Sequence, residues 1–170
     1  TNVRFVYDSA PTLDVITDEI DAWFEVYGEF PALIVVDNLI NVVCETTDNE
    51  WQGLRHLVSA FQEIGRDTGS AMLVLHHTSE GVGKPTECPP RQALRGKVAQ
   101  VPEVILTIAL DPVAARFKVA AVKNRSGKAD ATGGTFAELG VDLAKMHLFE
   151  QQDVTQNVTQ AVDQYWSEVQ

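Results

Sequence analysis

Two short, uninterrupted apolar runs, each followed by polar residues, constrain the fold of this 170-residue chain more than any other feature. The first covers residues 32–36 and ends at Asp37, and the second covers residues 71–75 and ends in two histidines. Continuous apolarity rich in β-branched residues is typical of a strand that is covered on both faces. Because apolar residues recur at helical spacing over residues 49–67, between the runs, the order predicts a parallel β–α–β unit.

The flanking segments extend this pattern into an α/β domain. Residues 4–8 predict a short first strand, and residues 12–28 predict an amphipathic helix that begins after Thr12 and ends at Gly28. A long irregular loop follows the second apolar run at residues 79–92. The remaining predicted elements are strands over 101–110 and 117–122, a basic turn over 123–134, a hairpin over 135–149 and an amphipathic helix over 153–169.

We therefore predict two parts, a main domain over residues 1–150 and a terminal helix over residues 151–170. The main domain is expected to have a sheet centred on parallel strands and flanked by helices, followed by antiparallel strands. Ligands of such sheets bind at the carboxyl ends of the strands. Asp37 and His77 are both predicted to lie at that edge.

The charge is acidic overall but unevenly distributed. The chain has 13 Lys and Arg against 24 Asp and Glu, a net charge of −11, which argues against a protein that coats nucleic acid with its whole surface. Nine of the 13 basic residues fall within residues 84–128, together with three acidic residues. This basic strip suits a polyanion such as nucleotide phosphate or a nucleic-acid backbone. A solvated face with chance clustering is the alternative interpretation.

Composition excludes several protein classes. No apolar run approaches the roughly 20 residues that span a bilayer, and the first ten residues lack the pattern of a secretion signal, which indicates a cytoplasmic protein without a membrane partner. Cys44 and Cys88 are too few for a disulfide framework or a zinc site. The chain begins at Thr1 rather than Met, so we expect it to be a piece of a longer protein.

Three groups of residues are candidates for chemistry. A carboxylate at the tip of a buried strand, as predicted for Asp37, suits hydrated Mg²⁺ because this cation prefers oxygen ligands. A turn or cap residue is the alternative for Asp37. His76 and His77 point to opposite faces of an extended chain and therefore cannot chelate one metal together, so either one of them contacts a ligand or both are structural. The basic turn with Lys123 and Arg125 offers donors that suit a γ-phosphate in an adjacent subunit, or it is a solvated hairpin tip.

Taken in order and spacing, four segments resemble the RecA-like ATPase core of the DnaB-type and RepA-type hexameric replicative helicases. They are PALIVVDNL at 31–39, LVLHHT at 73–78, LRG at 94–96 and KNRSG at 123–127. The histidine segment is closest to the RepA-like group, and the KNRxG turn is found among DnaB-like proteins. The resemblance covers roughly residues 3–150.

The resemblance implies roles for five residues at the nucleotide. Asp37 would be the Walker B aspartate that holds Mg²⁺ through water, with Asn38 beside it. His77 would be the polar residue that senses the γ-phosphate and couples it to DNA. Arg125 would be the arginine finger given to the neighbouring subunit of the ring, and Lys123 would be a second phosphate contact.

The resemblance also implies a DNA-binding surface. The loops at about 41–50 and 79–95 would be the pore loops that touch single-stranded DNA, and Lys84, Arg91 and Arg95 would contact its phosphates. The first of these loops is acidic here, which departs from the family pattern.

A larger departure is the missing P-loop, G-x-x-x-x-G-K-[ST], whose backbone amides cradle the phosphates. Three Gly-Lys pairs occur, at 83–84, 96–97 and 127–128, and none has the required residues around it. In the family the P-loop and the catalytic glutamate precede the strand predicted at residues 4–8. The chain is therefore expected to be the C-terminal portion of an ATPase domain that binds ATP weakly or not at all by itself.

The function predicted from the sequence is thus part of an ATP- and Mg²⁺-dependent DNA helicase or single-stranded DNA translocase that assembles into a ring. A non-catalytic adaptor that keeps the RecA-like fold for assembly is the alternative. An unrelated parallel α/β protein with similar strand ends is a third interpretation.

Overall fold

The computed structural model describes residues 2–47, 49–79 and 84–150. The chain divides into two compact units. The first comprises Thr1–Val82 with Arg91–Ile105, and the second comprises Gly83–Pro90 with Leu106–Gln170. The amphipathic helix predicted over residues 153–169 and part of the loop predicted over residues 79–92 lie outside the described residues.

The first helix of the first unit, α1 (Leu13–Tyr27), confirms the prediction from helical spacing. The Thr12 hydroxyl accepts a hydrogen bond from the Val15 amide (3.3 Å), which satisfies one of the amides that a helix start leaves without a partner. Gly28 adopts a left-handed conformation (φ 74°), and its amide donates to the Phe24 carbonyl. The helix ends there because glycine enters this conformation without steric cost.

The second helix, α2 (Glu50–Thr68), supplies most of the core of this unit. It begins at Asn49, whose side-chain oxygen accepts hydrogen bonds from the Trp51 and Gln52 amides. Its inward face packs with residues from the segments that follow the two strands. The buried members of this core are Leu39, Val42, Leu54, Leu57, Val58, Phe61 and Val98.

The two predicted strands form a parallel pair, β1 (Leu33–Val36) and β2 (Ala71–Val74), with Leu33 opposite Ala71 and Val36 opposite Val74. Their predicted coverage on both faces is wrong. Leu33, Val35 and Leu73 remain 54%, 53% and 51% exposed, because α2 packs against the other face and no described element covers this one.

The strand predicted over residues 4–8 is also wrong. This segment has no strand partner among the described residues, and the side chains of Phe5 and Tyr7 are exposed at its surface. A weak alternation of apolar residues is insufficient to define a strand, because a strand requires a neighbour to which its backbone groups can hydrogen-bond.

The later strands form a four-stranded antiparallel sheet in chain order. The strands are β3 (Val104–Asp111), β4 (Arg116–Asn124), β5 (Ala137–Asp142) and β6 (His147–Phe149). The pairing places Arg116 opposite Gly140 and Asp142 opposite His147. The predicted strands and hairpin in this region are confirmed with bounds shifted by a few residues. The chain is thus a mixed α/β protein in which the parallel part consists of two described strands.

Two expectations from the composition concern membrane-spanning helices and the two cysteines. No helix among the described residues is both long and apolar enough to cross a membrane. Cys44 and Cys88 are both free thiols, and burial raises the pKa of the Cys88 thiol.

We expect Phe61→Ala to lower the free energy of unfolding by about 3–5 kcal/mol, because it removes a large side chain that is 2% exposed in the α2 core. Urea denaturation followed by circular dichroism measures this change. The control Val26→Ala alters an exposed residue of α1 and should change the free energy by less than about 0.5 kcal/mol. Equal losses of unfolding free energy in both variants would contradict the assignment of Phe61 to the core.

Candidate functional site

The segments that follow β1 and β2 stay side by side beyond the strands themselves. The Leu75 amide donates to the Val36 carbonyl (2.9 Å), and the Leu39 amide donates back to the Leu75 carbonyl (2.9 Å). These two backbone hydrogen bonds fix the register past the strand ends. The polar residues that follow each strand are therefore held next to one another, as predicted for the carboxyl edge of a parallel pair.

Asn38 connects the two strand ends through its side chain. Its Oδ1 accepts a hydrogen bond from the Ile40 amide (3.1 Å), and its Nδ2 lies 3.3 Å from His77 Nε2. Because the Ile40 amide fixes which end of the Asn38 amide is the acceptor, Nδ2 is the donor and His77 Nε2 is the acceptor. A histidine that accepts at Nε2 is neutral and carries its proton on Nδ1, so His77 has an N–H donor on the other side of its ring.

Asp37 lies directly after β1 and is exposed. Within the described residues its carboxylate forms no hydrogen bond or ion pair, so both oxygens remain available to a ligand. No group of three or more metal-binding side chains occurs in the described part of the chain. A single available carboxylate fits Mg²⁺, since this ion keeps several of its waters and takes one or two protein carboxylates together with substrate phosphates.

The neighbouring His76 has different partners from His77. Its Nε2 donates to the Arg95 carbonyl (2.8 Å), and its Nδ1 is buried without a hydrogen-bond partner among the described residues. The two adjacent rings therefore contact separate parts of the unit, as expected for neighbours in an extended chain. His76 attaches the segment around Arg95 to the end of β2.

Two backbone contacts strengthen this attachment. The Ser79 amide donates to the Ala93 carbonyl (2.8 Å), and Thr78 forms a β-bridge with Leu94. The segment that follows β2 and the segment around Ala93 and Leu94 thus lie side by side. Arg91 begins a short 3₁₀ turn just before this contact and is exposed.

Arg95 connects the two predicted DNA-binding loops. Its Nη2 lies 2.8 Å from Glu50 Oε1, and its guanidinium carbon lies 5.7 Å from the centre of the Trp51 ring. The acidic character of the first loop is therefore partly neutralised by a basic residue of the second loop.

The basic turn of the second unit is stabilised by a hydrogen bond between two of its own residues. Asn124 Oδ1 accepts a hydrogen bond from the Ser126 amide (3.0 Å). A Cβ atom on Gly127 would lie 2.7 Å from Asn124 Nδ2, so a larger residue here would displace the end of the Asn124 side chain. Lys123 is half-buried at the end of β4, whereas Arg125 is exposed on the turn.

Asp130 stabilises the end of this turn, a role that the sequence interpretation missed. Its carboxylate accepts hydrogen bonds from the Thr132 hydroxyl (2.7 Å), the Thr132 amide (2.9 Å) and the Thr135 amide (2.8 Å). The hydrogen bonds from Thr132 and then Thr135 lower the pKa of Asp130 to about 2. An aspartate two residues before a threonine and a glycine pair is a signal for such a turn.

Lys84, the remaining predicted DNA contact, is paired with an acidic neighbour. Its Nζ lies 2.9 Å from Glu87 Oε1, and this hydrogen-bonded ion pair raises the pKa of Lys84 and lowers that of Glu87. Both side chains are exposed, so the pair is weak by comparison with buried ones.

The predicted site residues are thus distributed over both units. Asp37, Asn38 and His77 form one cluster in the first unit, which also contains Arg91 and Arg95. Lys84, Lys123 and Arg125 belong to the second unit. The side chains that the sequence interpretation did not select are Glu50, Trp51 and Asp130.

Two curated relatives share sequence with this chain, and no protein-family model matches it. The Gene 65 protein of Mycobacterium phage L5 is 39% identical over 144 residues, and the Gene 65 protein of Mycobacterium phage D29 is 36% identical over 142 residues. Each match includes 81% of this chain. The chain covers 53% of the L5 protein and 61% of the D29 protein.

Two solved structures, a replicative helicase and an ATPase domain, have a similar fold. A DnaB-like replicative helicase, solved in a study of its interactions with primase, matches 85% of this chain with a TM-score of 0.73 and 12% identity, and 37% of that helicase is covered. A second structure, of an ATPase domain, matches 84% of this chain with a TM-score of 0.72 and 12% identity, and 52% of that domain is covered. The predicted resemblance to the ATPase domain of DnaB-like helicases is confirmed as a likeness of fold.

We expect Asp130→Asn to lower the melting temperature at neutral pH, because the neutral amide is a weaker acceptor for the donors on Thr132 and Thr135. Since the folded pKa of Asp130 is depressed to about 2, its contribution is complete above about pH 4 and is lost as the pH falls through 2. The difference in melting temperature between wild type and variant should therefore narrow between pH 4 and pH 2. A constant difference over this range would contradict the assignment.

Proposed function

We propose that this chain is part of an ATP-hydrolysing motor of the DnaB-like helicase type that moves along single-stranded DNA. The observation that carries the proposal is the cluster of Asp37, Asn38 and His77 at adjacent strand ends, in a fold similar to a helicase ATPase domain. In sheets of this kind the ligand binds at the same edge. The local excess of basic residues over positions 84–128 supports a polyanionic partner.

Asp37 is proposed to hold the magnesium ion of a bound nucleotide. The availability of both carboxylate oxygens among the described residues and the fixed position at the end of β1 support this role. When bound, Mg²⁺ would neutralise charge that develops on the phosphate oxygens during phosphoryl transfer. The protein contributes the carboxylate and its position.

His77 is proposed to detect the terminal phosphate of the nucleotide. The hydrogen bond from Asn38 leaves the His77 proton on Nδ1, where it can be donated to a phosphate oxygen. Asn38 is then a positioning residue, since it sets the ring orientation and the tautomer of His77. The Ile40 amide in turn fixes the orientation of Asn38.

Arg125 is proposed as the arginine finger that one subunit gives to the nucleotide of its neighbour, with Lys123 as a second phosphate contact. A guanidinium suits this role because its planar set of N–H donors matches phosphate oxygens. The Asn124 side chain accepts a hydrogen bond from the Ser126 amide and so stabilises the backbone of the turn that carries Arg125, which supports this role.

The residues of this chain do not supply the phosphate cradle of such a site. None of the three Gly-Lys pairs has the P-loop pattern, and the chain spans little more than half the length of its curated relatives. We therefore assign ATP turnover to the full-length protein. A non-catalytic assembly module with the same fold is the second candidate, and the missing P-loop pattern is the observation that favours it.

We expect Asp37→Asn and Arg125→Ala each to reduce DNA-stimulated ATP turnover of the full-length protein by about 1000-fold while leaving the protein folded. A mixture of the two inactive variants should recover part of the activity, because some interfaces then combine an intact Asp37 with an intact Arg125. Steady-state phosphate release with and without single-stranded DNA is the measurement.

Asp14→Asn and Arg66→Ala are matched controls, since they remove the same charges from positions in α1 and α2 to which the proposed site assigns no role. They should retain wild-type turnover. A lack of recovery at every mixing ratio would contradict a site shared between subunits. A folded full-length protein without any ATP turnover would support the assembly module.

A further inference from the structure

Trp51 is an exposed indole in the first turn of α2. Its side chain lies outside the buried core and 48% of the residue is exposed. The Asn49 side chain accepts a hydrogen bond from the Trp51 amide (3.1 Å), so the backbone that carries the indole is fixed. Exposure alone does not distinguish this residue, since Phe5 and Tyr7 are also exposed; Trp51 differs from them in having a guanidinium over its ring.

The neighbouring cation is also held in place, by its side chain and by its backbone. The Arg95 guanidinium lies near the Trp51 ring (5.7 Å), and its Nη2 is paired with Glu50 (2.8 Å). The Arg95 carbonyl accepts the hydrogen bond from His76. The Arg95 side chain nevertheless remains 39% exposed.

A half-exposed indole with a guanidinium over one of its faces matches the two components of a single-stranded polynucleotide, with the opposite face as the one on which a base would stack. Bases stack on aromatic rings whatever their sequence, because every base has a π face, and guanidinium groups contact the phosphates between them. The ion pair with Glu50 and the contact with Trp51 restrict the Arg95 side chain, which lowers the entropy lost on binding. A surface cation–π contact without a ligand is the alternative that the experiment must exclude.

We propose that Trp51 stacks a nucleobase of single-stranded nucleic acid while Arg95 contacts the adjacent phosphate. Glu50 positions Arg95 for this contact. The inference rests on the proposed function and adds a base-stacking residue to it, at a position that the sequence interpretation did not select. The acidic loop at about 41–50 then contributes to binding through the indole that follows it, and needs no positive charge of its own.

Two substitutions of similar size separate stacking from packing. Trp51→Phe keeps an aromatic face, whereas Trp51→Leu keeps an apolar side chain without one. Affinity is measured with the full-length protein by fluorescence anisotropy, with labelled oligo-dT and with an abasic strand of equal length at one fixed salt concentration. Tyr7→Ala removes another exposed aromatic residue as a control.

We expect Trp51→Leu to weaken oligo-dT binding about 10-fold and Trp51→Phe to retain affinity within about 3-fold of wild type. All variants should bind the abasic strand equally, because it offers phosphates and no base. The Tyr7→Ala control should bind both strands like wild type. Unchanged circular dichroism and melting temperature confirm that the variants are folded.

Equal binding of oligo-dT by wild type and Trp51→Leu would overturn this inference and leave the proposed function in place. Equal loss of binding to oligo-dT and to the abasic strand would also overturn it, since the indole would then act through the backbone or through Arg95. Wild-type protein that binds neither strand and shows no DNA-stimulated ATP turnover would overturn the proposed function as well.

Discussion

The parallel pairing of β1 with β2 is the constraint on which the candidate site depends. Its hydrogen-bond ladder continues past the last paired residues, because Leu75 donates to Val36 and accepts from Leu39. Two polar segments that are almost 40 residues apart in sequence must therefore meet. The buried face of α2 holds the pair from one side, and a change in register would separate Asn38 from His77 and remove the shared hydrogen bond.

Local signals in the sequence were sufficient to predict both described helices and the parallel pair. Thr12 and Asn49 are residues that favour helix starts, and Gly28 and Gly69 adopt the left-handed conformation that ends each helix. The prediction for residues 4–8 failed because strand formation depends on a partner that no local pattern reveals. The predicted coverage of β1 on both faces failed for the same reason, since burial is a property of the packed structure.

The candidate site was predictable at the level of strand ends but not at the level of contacts. A polar residue after a buried strand indicated Asp37 and His77, whereas the hydrogen bond from Asn38 depends on side-chain orientation. The ion pair of Arg95 with Glu50 joins two loops that the sequence separates by 45 positions, and no periodicity links them. Arg125 was identified from its motif, and its role at the nucleotide remains a prediction.

His76 and His77 are adjacent in one extended segment, yet one holds the carbonyl of Arg95 and the other meets Asn38 beside Asp37. A displacement of this short segment therefore changes the contact with Arg95 and the contact with Asn38 together. If nucleotide binds beside Asp37 and His77, a polynucleotide binds beside Arg95, and either ligand displaces this segment, the two affinities are thermodynamically linked through a single peptide unit. Linkage is reciprocal, so a strand that strengthens nucleotide binding by some factor must itself be bound more tightly by the same factor when nucleotide is present.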